Sequence, residues 1–153
     1  MEINGEIDVD APRETVVTEM QRAEVLEEVI PHCTRCDEVG EREYEAELSK
    51  RISMVSVDLE INIGIEEFEP PESFVVAVDG TAPGGNTDVN ADMAFDLSET
   101  DAGGTFIDYE MDIEVSGKLA SLGFRMLKST VTKDIEKMAN NVEEQFSEQT
   151  AST

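Results

Sequence analysis

The chain has 153 residues, 39 % of them hydrophobic, with 36 acidic residues against 11 basic ones and a formal net charge of −25. That length holds one domain with a real core and not two comfortable ones. Apolar residues spread along the whole chain exclude disorder, the absence of a basic stripe or aromatic platform excludes nucleic acid, and no run approaches the roughly 20 apolar residues of a membrane span.

So much like charge destabilises a compact state through self-repulsion, and salt screens it with a Debye length of about 3 Å at 1 M. A halophilic setting is therefore expected. The opening "MEINGEIDVD" is acidic and alternating, which is not a signal peptide, so a cytoplasmic location is expected.

In chain order, "MEINGEIDV" alternates strictly. Ile3, Ile7 and Val9 fall on one side and Glu2, Asn4, Glu6 and Asp8 on the other, the pattern of a half-buried strand. Asp10 is a good N-cap and Pro12 suits a first turn, so "DAPRETVVTEM" reads as a short helix. "RAEVLEEVIP" reads as a second, stopped by Pro31.

The next stretch, "IPHCTRCDEVG", holds the only histidine, His32, and the only cysteines, Cys33 and Cys36. A structural zinc site takes four ligands, usually as two clusters, and this chain offers one. If the stretch is extended, His32 and Cys33 point to opposite sides, and so do Cys33 and Cys36. Packing is the reading that fits these residues best, ahead of redox or metal chemistry.

Alternation then resumes. "EYEAEL" sets Tyr44, Ala46 and Leu48 against three glutamates. "VSVDLEINIGI" aligns Val55, Val57, Leu59, Ile61, Ile63 and Ile65 against Asp58, Glu60 and Asn62. "EPPES" is a turn, "FVVAVDG" a short apolar strand and "TAPGGNT" a loop. "DVNADMAFDL" and "TFIDYEMDIEVSG" are two further half-buried strands joined by the turn "ETDAGG". Ile107, Tyr109, Met111, Ile113 and Val115 form the inward set of the last. Such patterns describe an antiparallel sheet with one buried face and one wet face that takes most of the acid.

After Gly117 the period becomes helical. Leu119, Leu122, Met126, Leu127, Val131, Ile135, Met138, Val142 and Phe146 make one apolar stripe, which predicts a single helix over about 118–147. The sheet's apolar face and the helix's apolar stripe must bury each other. The expected class is α+β: a curved antiparallel sheet of about seven strands on a long C-terminal helix, with two short helices after the first strand. The expected domain spans 1–148, with a short disordered tail over 149–153.

Four fragments carry a resemblance: "IPHC" after a short helix, "EYEAEL" opening a strand, "EPPESF" at a turn, and "GKLASLGFRML" opening the last helix. The pairing of Ile30-Pro31-x-Cys33 with Gly117-Lys118-Leu119-Ala120-x-Leu122-Gly123-x-Arg125 is the most specific part. In these the chain resembles the carbon monoxide dehydrogenase CoxG family of the START-like (SRPBCC, Bet v 1-like) helix-grip superfamily. The resemblance implies a helix-grip fold and an accessory protein of a molybdenum hydroxylase system, or a carrier of a quinone- or lipid-like molecule, rather than a catalytic component. Some members carry a C-terminal extension thought to reach the membrane. This chain ends at "SEQTAST", and attachment by a tail is not expected.

An enzyme is not expected from the residues either. No G-x-S-x-G, Walker A loop or dinucleotide fingerprint is present, and the carboxylates fall in the outward phase, where water keeps them ordinary. Tyr44 and Tyr109 face inward, either to orient a ligand's carbonyl or hydroxyl or simply as core. Lys50 shares the phase of Leu48 near a strand end, where it can snorkel out.

A hydrophobic small molecule is thus expected between helix and sheet, with no cofactor and no metal. The candidate lining is Tyr44, Leu59, Ile61, Val76, Met93, Phe95, Tyr109, Met111, Leu119, Leu122, Met126 and Leu127. Five cations, Lys118, Arg125, Lys128, Lys133 and Lys137, give segment 118–137 a net charge of +3 against −28 for the remainder. They form either a docking patch for a redox enzyme or the inner face of a membrane, or a set that offsets nearby sheet carboxylates. The open alternatives in function are an assembly or membrane-recruitment factor and a cyclase or hydrolase of the same superfamily.

Overall fold

The computed structural model describes residues 1–52, 54–83, 85 and 87–151, without the side chains of residues 55 and 148–151. Strand β1 (Glu2–Val9) is followed by two short helices, α1 (Arg13–Glu19) and α2 (Ala23–Val29). Six strands come next: β2 (Cys33–Gly40), β3 (Glu43–Ile52), β4 (Val55–Glu69), β5 (Ser73–Thr81), β6 (Thr87–Glu99) and β7 (Thr105–Gly117). A 3₁₀ turn (Lys118–Leu122) leads into the long helix α3 (Phe124–Ala151).

The seven strands form one antiparallel sheet in the order β1-β7-β6-β5-β4-β3-β2. The chain crosses once, through α1 and α2, from one edge of the sheet to the other, and then meanders back by hairpins until β7 pairs with β1. This is the expected helix-grip architecture, with α1, α2 and α3 on the apolar face.

Where the structure departs from the expected elements, local backbone explains it. The N-cap of α1 is Pro12, not Asp10, and Pro12 has no side chain able to cap the helix. The helix expected from residue 118 is broken: Gly123 adopts φ 95, a left-handed conformation open to glycine, and ends the 3₁₀ turn before α3 starts. At its far end α3 runs through Ala151, past the expected domain limit, and residues 152 and 153 lie outside the described residues. Two positions of the "APGGN" loop, 84 and 86, lie outside them as well.

Strand β2 has no clean alternation because it carries two register shifts, between Cys33 and Arg35 and between Glu38 and Gly40. A bulge inserts one residue and flips the phase beyond it. Cys33 and Cys36 therefore do not face opposite sides: both pack on the cluster of Tyr44, Ala46, Ile61, Ile63 and Val76. Their thiols are free, and burial raises both, that of Cys36 up to about 11.

Three apolar clusters fill the inner face. The largest joins β1, β6 and β7 to the short helices and to Val142 and Phe146 of α3. Phe146 is wholly enclosed, which is worth about 2–3 kcal/mol in apolar burial. The second is the β2–β5 cluster that holds the cysteines. The third, Val57 with Leu119 and Leu127, ties the 3₁₀ turn and the start of α3 to β4. Gly5 is required at a close approach. It pairs with Tyr109, and a Cβ there would lie 2.4 Å from the tyrosine oxygen.

The outer face stacks like charges across strands. Asp108 on β7 stands between Asp96 on β6 and Glu6 on β1, and Asp112 between Asp92 and Glu2. Directly opposed like charges are destabilising unless screened. The melting temperature is accordingly expected to rise from low salt to about 1 M KCl, and a flat or falling curve would refute this. Asp108→Asn should stabilise by roughly 0.5–1 kcal/mol in low salt and by much less in molar KCl, as measured by urea unfolding. With a thiol near pKa 11, only about one part in a thousand of Cys36 is thiolate at pH 8. Iodoacetamide labelling of native Cys36 should be at least about tenfold slower than in the urea-unfolded chain, and equal rates would contradict the buried placement.

Candidate functional site

The inner face is not uniformly covered. Leu48 on β3, Leu59 on β4, Val78 on β5 and Val89, Met93 and Phe95 on β6 all stand in the inward phase, yet each is only half-buried. So are Val131, Ile135 and Met138 on the facing side of α3. By contrast Val142 and Phe146, near the helix C-terminus, are enclosed. Helix α3 is therefore covered most fully near its C-terminus and only partly along its middle. Val78, Met93 and Phe95 touch both large clusters and join them. An aromatic row runs through this region: Phe74 stacks on Phe95 with centroids 4.8 Å apart, and Phe95 lies 6.5 Å from Tyr109.

The twelve expected lining residues divide by burial. Leu59, Met93 and Phe95 are half-buried on the inner face. Ile61, Val76, Tyr109 and Met111 are buried in the two large clusters. Leu119 and Leu127 are buried with Val57 at the start of α3, with half-buried Leu122 against them. Met126 turns outward and is 42 % exposed, because the break at Gly123 resets the helical phase so that Leu127 takes the inner face.

Tyr44 is fully buried, and its hydroxyl donates to the Gln21 carbonyl, so it fastens the α1–α2 turn to β3 rather than presenting itself to a ligand. Burial raises the pKa of both Tyr44 and Tyr109. Leu48, Val78, Val89, Val131, Ile135 and Met138 complete the half-buried apolar set. Alternation and helical period placed most of them inward, but period carries no information on how completely a residue is covered.

His32 and the cysteines do not converge. The His32 ring lies against α3, with Nε2 3.5 Å from Asp134. The Cys33 thiol donates to the Arg35 carbonyl at 3.2 Å. Among the described residues no three His, Cys, Asp or Glu side chains are grouped as metal ligands. Lys50 does not snorkel to solvent: its ammonium meets both carboxylate oxygens of Asp134 at 2.6 Å.

Of the five cations, Arg125, Lys128, Lys133 and Lys137 are exposed on α3, and Lys118 is exposed on the 3₁₀ turn, where it borders a concavity with Asp58 of β4. Among the described residues none of the five forms an ion pair. Arg125, Lys128 and Lys133 border a shallow concavity of about 380 Å³ beside Phe124. Phe124 is 63 % exposed, with the Lys128 ammonium 5.8 Å from its ring centroid. Two further concavities, of about 370 and 400 Å³, sit on the polar outer face of the sheet. Among the described residues no helix is long and apolar enough to cross a membrane.

The fold is shared with solved structures. A conserved protein from Geobacillus kaustophilus is 26 % identical with a TM-score of 0.86, covering 97 % of this chain and 96 % of its own. A START superfamily protein from Mycobacterium smegmatis is 13 % identical with a TM-score of 0.73 over 97 % and 98 % of the two chains. The Zhui aromatase/cyclase from a Streptomyces is 13 % identical with a TM-score of 0.66 over 98 % and 95 %. At such identities the last two likenesses speak for the fold alone. No curated protein matches the chain. The profile of the carbon monoxide dehydrogenase CoxG family matches residues 5–147, and the chain belongs to that family.

Proposed function

We propose that the protein binds a hydrophobic small molecule, quinone- or lipid-like, in the cleft between α3 and the sheet, and serves a molybdenum hydroxylase or carbon monoxide dehydrogenase-type redox system without catalysing a reaction. The single observation that carries this reading is the half-buried apolar lining under the middle of α3. A core closed for stability alone would bury such residues fully, and here nine apolar residues of the two facing layers stay half-buried. Apolar burial at roughly 25 cal/mol per Å² supplies the affinity. Met93 and Met138 suit a lining that adapts to its occupant.

The non-catalytic part of the proposal rests on the same lining. The inward residues are almost all apolar, and the Tyr44 hydroxyl is already used by the backbone. The link to a redox system rests on family membership. A cyclase or hydrolase role would have to draw on the few inward polar groups, and of these the Tyr44 hydroxyl is held by the backbone and Lys50 by Asp134.

A second reading has its own observation. Exposed Phe124 and Met126 beside Arg125 and Lys128, on a chain otherwise strongly acidic, favour docking of this end of α3 to a redox enzyme or to the inner face of a membrane. A cytoplasmic protein peripheral to the membrane is the location consistent with both readings.

The decisive measurement is mass spectrometry of an organic extract of protein purified in molar salt from its native host. About one equivalent of a quinone or lipid per chain is expected. An empty extract, together with no uptake of added quinone or fatty acid, would overturn ligand carriage and leave docking as the better account.

A further inference from the structure

One polar group of the inner face is not accounted for by packing. Lys50 follows Tyr44, Ala46 and Leu48 in the inward phase of β3, and its partner in register is buried Val57. Its ammonium reaches Asp134, on the middle of α3, at 2.6 Å to both oxygens. His32 adds its ring to the same carboxylate at 3.5 Å. The side chains of Lys50, Asp134 and His32 are 22, 29 and 33 % exposed.

Among the described residues Lys50–Asp134 is the only ion pair between α3 and the sheet. It spans the gap between the layers beside the half-buried pair Leu48–Leu59, at the rim of the cleft. His32 is held there in a left-handed conformation, φ 64, uncommon for a residue with a side chain. The Ser49 amide donates to its carbonyl at 3.0 Å.

Resting on the proposed ligand cleft, we infer that Lys50, Asp134 and His32 form its polar subsite and that this subsite selects a neutral, carbonyl-bearing head over a carboxylate. An ammonium has three protons. The Asp134 carboxylate, on one side of the ammonium, takes at most two of the Lys50 protons, and among the described residues Lys50 has no other acceptor. The third is available to a carbonyl oxygen at the rim. The cation is already neutralised, so a ligand carboxylate would bring a second negative charge beside Asp134 in a partly desolvated site, where like charges repel most. A ketone or quinone oxygen takes the same proton without that penalty, and its apolar body lies on Leu48, Leu59 and Met93.

The test uses the full chain in molar KCl and three probes by titration calorimetry: a dimethylnaphthoquinone, the matching dimethylnaphthalene without the carbonyl oxygens, and laurate. The wild-type chain is expected to prefer the quinone over the hydrocarbon by about tenfold, and to bind laurate more weakly than the quinone. Lys50→Met should bring the two ring compounds within about twofold while the hydrocarbon's affinity stays unchanged. Asp134→Asn keeps the cation and removes the competing charge, and should strengthen laurate by about tenfold. Thermal melting checks that each variant is folded.

A quinone preference that survives Lys50→Met, or laurate binding indifferent to Asp134→Asn, would overturn the subsite while leaving the cleft intact. Failure of all three probes to bind the wild-type chain would overturn the ligand cleft and the subsite together.

Discussion

One α-helix is about 10 Å across, and seven strands at roughly 4.8 Å spacing span about 30 Å. That mismatch governs this molecule. The apolar face of the sheet must leave water, yet α3 covers only a strip of it. Curvature and the short helices α1 and α2 cover more, at the β1–β7 side and over β2. The strip under the middle of α3 is what remains, and Leu59, Met93 and Phe95 lie there half-buried. The break at Gly123 and the third cluster of Val57, Leu119 and Leu127 fix where α3 begins, and so where the uncovered strip lies.

Much of this was legible in the sequence, for a physical reason. Five of the seven strands alternate because their outward positions meet water and their inward positions meet apolar side chains, so the period reports the environment directly, while β5 reads only as a short apolar run. Strand β2 was harder, since its two bulges erase the alternation and turn Cys33 and Cys36 to the same side. The start of α3 misled for a similar cause: the stripe from Leu119 to Phe146 reads as continuous, but Gly123 resets its phase and sends Met126 outward. Long-range pairings were not legible at all. The reach of Lys50 to Asp134, across 84 residues, depends on how the layers are stacked, which no local pattern encodes.

The charge asymmetry has a structural counterpart. Acidic residues line up in opposed rows on the outer face, so the cost of the net charge of −25 falls on the sheet's own pairing rather than on the inner layer. The cations of α3 stand apart from those rows. In concentrated salt the outer rows are muted beyond a few ångströms, and a local patch such as that around Phe124 acts according to its own sign rather than that of the whole molecule. The chain thus keeps its acidic sheet face and the cations of α3 on separate surfaces.

The pairing of β1 with β7 sets Ile3 beside Met111. During synthesis the first strand emerges early and its partner only after most of the chain has been made. Contacts so distant in sequence slow folding, and for that period β1 is a strand with both edges open. Its exposed acidic positions are Glu2, Glu6 and Asp8, which repel a second copy of the same strand. In the finished sheet β1 remains an edge, and the same three carboxylates still stand there. Acid that serves solubility in the folded protein thereby also guards the nascent chain against pairing with its neighbours on the ribosome.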